Sequence, residues 1–243
     1  MPQRADAVEL ANRVKAGEIR AVSRLISFLE NQDPTGLAAL RALGSDLRRA
    51  PVVGITGYPG VGKSTVVTQL AKVYRRRGLT VGILAIDSSS PVTGGALLGD
   101  RLRMQEHAVD PGVFIRSMAN RGQRGGLAPA TCEAVVVLER AGYDVILVET
   151  VGVGQTDVDV ADVAGTVVMV VAPGLGDEIQ AMKAGLLEVA HIVVVNKADL
   201  DGAEATVQDL RQWCPTVLKT VATKGEGIEE LVQAIADQQR GCE

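Results

Sequence analysis

The sequence predicts an α/β fold: a mostly parallel, twisted sheet of about seven strands flanked by helices, preceded by a short helical extension. From residue 51 onward, short aliphatic runs alternate with stretches of helical period, the pattern of strand–helix–strand units joined by right-handed crossovers. Composition agrees. Hydrophobic residues make up 47% of the chain and aromatics 2%, so the core is built from Val, Leu, Ile and Ala, as in a parallel sheet covered on both faces. The third observation is GYPGVGKS at 57–64, a glycine-rich turn set between an apolar run and a helix-like segment. It fills every fixed position of G-x-x-x-x-G-K-[ST], the phosphate loop of P-loop NTPases.

Taken in order, Ala7, Leu10, Val14, Val22, Leu25, Ile26 and Leu29 continue one amphipathic helical pattern. Asp33-Pro34 reads as an N-cap with proline at the first helical position, and Leu37, Leu40, Leu43 and Leu47 mark the helix that follows. These residues, 1–50, form the expected helical extension, and 51–243 the nucleotide-binding domain. Strands are expected at 52–56, 80–86, 112–116, 144–149, 166–172, 191–196 and 216–219. Helices are expected near 64–77, 97–107, 128–141, 178–188, 203–213 and 227–238, the last carrying Ile228, Leu231, Val232 and Ile235 on one face. Two polar, glycine-rich stretches, 88–100 and 119–129, read as loops at carboxyl strand ends, where open α/β sheets build their sites.

Charge and composition exclude several classes. The net charge of −4, from 25 basic and 29 acidic residues, leaves no footprint for nucleic acid or an anionic membrane. No apolar run approaches the ~18 residues of a membrane helix, and MPQRADAVEL does not read as a signal peptide. Cys132, Cys214 and Cys242 are scattered, the usage of a reduced, cytoplasmic protein, and the two histidines, His107 and His191, read as structural or surface residues.

The motifs assign chemistry. Gly57 through Thr65 (Gly57, Tyr58, Pro59, Gly60, Val61, Gly62, Lys63, Ser64, Thr65) wrap a polyphosphate with backbone N–H groups and a helix N-terminus. Lys63 reaches the β- and γ-phosphates, and Ser64 ligates Mg²⁺. NKAD at 196–199 follows the apolar run HIVVV, so it sits at a strand end. The Asp199 carboxylate there accepts from guanine N1–H and the exocyclic amine, which adenine cannot match. Asn196 ties the loops together, and the Lys197 stem covers the purine face. A second base-side loop runs through Val221, Ala222 and Thr223, with the Ala222 N–H near guanine O6. DVILVETVGVGQ at 144–155 delivers Glu149 to a strand end as a metal-side acid, and lets the Gly152 N–H approach the γ-phosphate. Asp87 and Asp100 are further metal-side candidates, and Lys63, Glu149 and Asp100 are the catalytic ones.

GYPGVGKST, DSSSPVTGGALLGDR, ETVGVGQ, APGLGDEIQAMKAG and NKAD, in that order and spacing, resemble the methylmalonyl-CoA mutase-associated GTPases, the MeaB/ArgK family. The likeness runs from about residue 5 to 238. It implies a G-protein chaperone that hydrolyses GTP to GDP and phosphate. Such a protein gates adenosylcobalamin delivery to a cobalamin-dependent acyl-CoA mutase and protects that mutase. The resemblance also implies that Ser64, Asp87, Asp100 and Glu149 surround Mg²⁺. Residues 87–101 and 149–162 then correspond to two switch loops, and 172–183, with Asp177, Glu178, Gln180 and Lys183, to a third that communicates with the mutase. Family members usually continue into a C-terminal helical arm that makes a homodimer. No such arm follows 227–238, so a monomer or an atypical dimer is expected. Gln155 is available to orient water, and Arg121 and Arg124 to supply charge. A nickel-insertion maturation GTPase and a small-molecule kinase, the older ArgK label, stay open as alternatives.

Overall fold

The N-terminal pattern resolves into two helices rather than one: α1 (Pro2–Lys15) and α2 (Ile19–Glu30). The break falls at Gly17, whose φ of +74° reverses the chain, with Gly17 N–H donating to Val14 O. Residues 2–44, 49–88, 110–122, 125–152, 157–174 and 185–241 are described by this computed structural model. α3 (Pro34–Ala42) starts as its sequence dictates, with the Asp33 side chain accepting from Thr35 N–H and Pro34 at the first position. Its buried face is different from the leucine pattern. Gly36 and Ala39 face inward, Leu43 is buried just beyond the helix, Leu37 is exposed, and Leu47 lies outside the described residues. Close packing drives the change, because a Cβ at Gly36 would stand 2.7 Å from Phe28 Cβ.

Seven strands follow among the described residues: β1 (Val52–Thr56), β2 (Val81–Asp87), β3 (Val113–Ala119), β4 (Val145–Glu149), β5 (Thr166–Val171), β6 (Ile192–Val195) and β7 (Val217–Lys219). They order β3-β2-β4-β1-β5-β6-β7, and every pairing is parallel. Between them run α4 (Lys63–Arg76), α5 (Thr131–Arg140), α6 (Leu186–Val189) and α7 (Ala203–Leu210), and α8 (Ile228–Arg240) closes the order. α5 begins at Thr131, not at 128, because Thr131 Oγ1 donates to Ala128 O and ties 128–130 into a turn. The helix expected at 97–107 lies outside the described residues, as does most of the one at 178–188.

The sheet is buried on both faces, as its aliphatic composition requires. On one side, Val53, Ile55, Ile83, Leu147, Val168 and Val194 pack under α4 and α8. On the other, Leu84, Ile86, Ile146, Val148 and Val167 join α5 and the apolar faces of α1–α3 in one continuous core. Burying each such Leu or Ile contributes about 1.5–3 kcal/mol, so the first helices are an integral cover for that face. α2 is further tied to strand β3, where Arg116 pairs with Glu30 and donates to Ser27 Oγ at 3.0 Å. His191 is structural, its Nδ1 accepting from Val167 N–H at 3.0 Å. No helix among the described residues is long and apolar enough to cross a membrane.

All seven strands point the same way. The carboxyl ends of β2, β4, β1, β6 and β7 therefore present Asp87, Glu149, Thr56-Gly57, Asn196 and Thr220 along one edge.

Candidate functional site at the carboxyl ends of the strands

β1 runs straight into the loop at 57–62, and α4 begins at Lys63 with Gly62 as its N-cap. Gly57 holds φ +136°, and a Cβ there would stand 2.1 Å from Val170 O, so only glycine lets the loop leave β1 this close to β5. Lys63 is buried, and its ammonium donates to Gly57 O at 2.9 Å and to Tyr58 O at 3.2 Å. The cation is thereby held across its own loop. Ser64 Oγ donates to Glu149 Oε1 at 2.6 Å, joining the first turn of α4 to the end of the neighbouring strand β4. Gly152, at φ +81°, lies against the same lysine: a Cβ would fall 2.1 Å from Lys63 Nζ and 2.7 Å from Gly57 O. Lys63, Ser64, Glu149 and Gly152 are thus brought together from two separate stretches of sequence. Behind them α4 is fixed by Val66, Val67, Leu70 and Tyr74, whose phenol burial pushes up to about 12, opposed weakly by Arg77.

Asp87 ends β2 and is buried at 5% exposure. Ala85 pairs with Glu149 in register, so Asp87 stands beyond Glu149 along the same edge. Its carbonyl accepts from Asn120 N–H at 3.0 Å, linking it to the start of the glycine-rich loop. Asp100, and the switch-like stretches 89–101 and 175–183, lie outside the described residues, with Gln155 and Arg124.

On the base side, Asn196 is buried at the end of β6 and joins two loops. Its Nδ2 donates to Val61 O at 2.8 Å, while Oδ1 accepts from Thr220 Oγ1 at 3.0 Å and Ala222 N–H at 3.1 Å. Asn196 thus links Val61 to the 220–222 loop. It also engages the Ala222 N–H expected near guanine O6. Lys197 adopts φ +57° and donates to Gly60 O at 2.8 Å, a second link to the phosphate loop. Thr65 is half-buried, Pro59 and Gly60 are exposed, and Val221 and Ala222 are buried under the exposed tip that holds Thr223. Asp199 is exposed and pairs with Lys224 Nζ at 3.4 Å.

Four contributors were not anticipated. Thr56 and Thr150 bond hydroxyl to hydroxyl at 3.2 Å beneath the site. Thr220 supports Asn196, and Lys224 faces Asp199. No motif assigns these four side chains a role. Only the pairing of the strand ends brings them into view.

A family model described as methylmalonyl Co-A mutase-associated GTPase MeaB matches residues 22–242. The chain belongs to this family. Among relatives it is similar to a putative GTPase of Pyrococcus abyssi, 51% identical over 248 residues that cover 97% of this chain and 76% of that protein. It is also similar to GTPase ArgK of Escherichia coli, 36% identical over 259 residues, 98% of this chain and 77% of that protein. Among solved structures, that of the LAO/AO transport system kinase superposes with a TM-score of 0.72 at 29% identity, covering 97% of this chain and 76% of that one. The MeaB family is a GTPase family of the P-loop fold, which accounts for the phosphate loop, the seven parallel strands and the guanine-type NKAD text on one edge.

Proposed function

We propose that this MeaB-family chain is a Mg²⁺-dependent GTPase acting as a G-protein chaperone. In this reading it gates adenosylcobalamin delivery to a cobalamin-dependent acyl-CoA mutase, and protects that mutase. The observation that carries the hydrolytic half is the Ser64–Glu149 contact of 2.6 Å beside the buried Lys63. The Ser64 hydroxyl and the Glu149 and Asp87 carboxylates are hard oxygen donors converging on the phosphate loop, the donor chemistry that suits Mg²⁺. Held by these groups, Mg²⁺ would supply positive charge against the phosphate oxygens.

The chain's own residues then do the following. Gly57 to Thr65 bind the phosphates through backbone N–H groups at the start of α4. Lys63 turns its ammonium from its own carbonyls to the β- and γ-oxygens. Gly152 offers its N–H to the γ-phosphate, and Asp100 completes the metal side. Asp199 accepts from guanine N1–H and the 2-amino group. Asn196 keeps the phosphate loop and the 220–222 loop in register, with Lys197 beside the base and Val221, Ala222 and Thr223 forming the second base loop. Loss of the γ-phosphate releases the contacts around Gly152, a change that a docked protein can sense.

The mutase half of the proposal is supported by the family's description as mutase-associated. A cytoplasmic location belongs to the same reading. The test combines the purified chain with adenosylcobalamin-dependent acyl-CoA mutases, and measures complex formation, release of inorganic phosphate from GTP, and transfer of adenosylcobalamin. A complex that releases phosphate faster than the chain alone is expected. No complex and no acceleration with any such mutase would overturn the chaperone role and leave the GTPase intact.

A further inference from the structure

We propose that Val160 is a positioning residue for GTP hydrolysis, seated in a gap on the central strand that glycine at position 54 leaves open. The inference rests on the reading of Glu149 and Gly152 as metal-side and γ-phosphate-side groups.

Gly54 sits in the middle of β1, in register with Val148 of β4 on one side and Val167 of β5 on the other. It is absent from the glycines with positive φ, so its backbone does not demand glycine. A glycine inside a strand weakens the sheet and often marks a close approach from above. Here the approach is explicit. A Cβ on Gly54 would stand 2.3 Å from Val160 Cγ2 and 3.0 Å from Ala164 Cβ. Val160 is fully buried, within a 3₁₀ turn at Asp157–Asp162. Its branched side chain is stiff at χ1 and surrounded by core, so it cannot swing aside. The turn is also braced from within, since Ala164 N–H donates to Val160 O at 2.9 Å.

The place of this seat gives it a functional meaning. Immediately after Glu149, Thr150 N–H donates to Ile55 O at 3.0 Å and Thr150 Oγ1 to Thr56 Oγ1 at 3.2 Å. Gly152 then lies over Gly57 O and Lys63 Nζ. Thr150 is therefore anchored to β1 at residues 55–56, and Val160 packs on the same strand at Gly54. One rigid strand thus holds Thr150 and Val160, which flank Gly152 in the sequence. The phosphate loop has separate supports: α4 behind it, Val170 O against Gly57, and Asn196 against Val61. A methyl added at Gly54 displaces the Val160 turn and, through it, the far end of the Gly152 stretch. The phosphate loop keeps its own anchors.

Two readouts separate this from simple core packing: phosphate release in a single turnover of GTP, and affinity for a fluorescent GDP analogue. Gly54→Ala is expected to slow phosphate release by about tenfold or more while GDP affinity stays within about twofold. Val160→Ala slows it less, because the turn loosens without being lifted. The double variant Gly54→Ala/Val160→Ala restores release to within about threefold of the parent, since the new methyl occupies space vacated by the valine. Full turnover by both single variants overturns the proposal. So does a double variant as slow as Gly54→Ala, or an equal loss of GDP affinity and turnover. Should Gly54→Ala not fold, Val160→Ala and the double variant decide by the same criteria. Gly152→Ala is run beside them: normal turnover by that variant overturns the underlying reading of Gly152. A slow Gly152→Ala with a fast Gly54→Ala overturns the Val160 role alone.

Discussion

At the phosphate end of the site the working side chains are buried: Lys63 and Ser64 are each 7% exposed and Glu149 4%. At the base end, the side chains of Asp199 and Lys224 keep 44% and 56% of their surface in water. The first group is locked by backbone geometry, with Lys63 on two carbonyls, Ser64 on Glu149, and Gly152 closed over the lysine. The second is held by one exposed ion pair on loops that Asn196 ties to the phosphate side. Low local dielectric makes contacts at the buried end strong and intolerant of change, whereas water screens those at the open end. Under the proposed function, turnover depends on the first end and base choice on the second, so the two should respond to mutation separately.

The sharpest way to break that division is Lys63→Ala. Removing a preorganised cation from a water-poor phosphate site should lower GTP turnover by about 10³-fold or more, ~4 kcal/mol of transition-state stabilisation. Preference for guanine over adenine nucleotides among those still bound should be unchanged. Phosphate release and competition binding check both halves. Near-normal turnover would remove Lys63 from the phosphate site.

The contrast between the two ends also governs what the chain reveals before it folds. Strand order aside, the sheet is legible from its aliphatic runs, and each of the seven strands lies within a few residues of its expected place. Gly57, Lys63, Ser64, Glu149 and Asn196 are legible as candidates because the phosphate and metal chemistry proposed for the site calls for those residue types at strand ends. Thr56, Thr150 and Gly54 are not legible, because each acts through a partner remote in sequence: Thr150 for Thr56, and Val160 for Gly54. The single N-terminal helix failed for a local reason. Apolar spacing continues across Gly17, but its left-handed backbone turns the chain, and packing against the sheet sets the new direction. Lys224 was missed because a lysine in a glycine-rich turn reads as solvated surface until the fold sets it opposite Asp199.

A smaller effect on turnover, with a larger one on selectivity, is expected from Asp199→Asn. The carboxylate matches two guanine donors, while an amide at that position offers a donor where xanthine presents an oxygen. kcat/KM for GTP should fall by about 10²-fold and that for xanthosine triphosphate should rise, because a hydrogen-bonding group of the site is then mismatched to guanine and matched to xanthine. Unchanged selectivity would move base recognition away from Asp199 and leave the phosphate end untouched.

Lys224→Met should have the smallest effect, and its sign is informative. The Lys224 ammonium stands 3.4 Å from the Asp199 carboxylate, the group proposed to engage guanine. An exposed pair of this kind contributes no more than about 1 kcal/mol, so deleting the competitor should tighten GTP binding by less than about fivefold. Because the pair is open to solvent, the gain should shrink as ionic strength rises toward about 1 M, where the screening length falls to ~3 Å. Turnover of bound GTP should not change, since Lys224 pairs with Asp199 at the exposed end while the phosphate loop is supported by Asn196 and α4. A loss of GTP affinity exceeding about tenfold at all salt concentrations would mean that Lys224 holds the base itself, which a screened surface pair cannot do. The base end would then be as preorganised as the phosphate end, and the separation between them would fail.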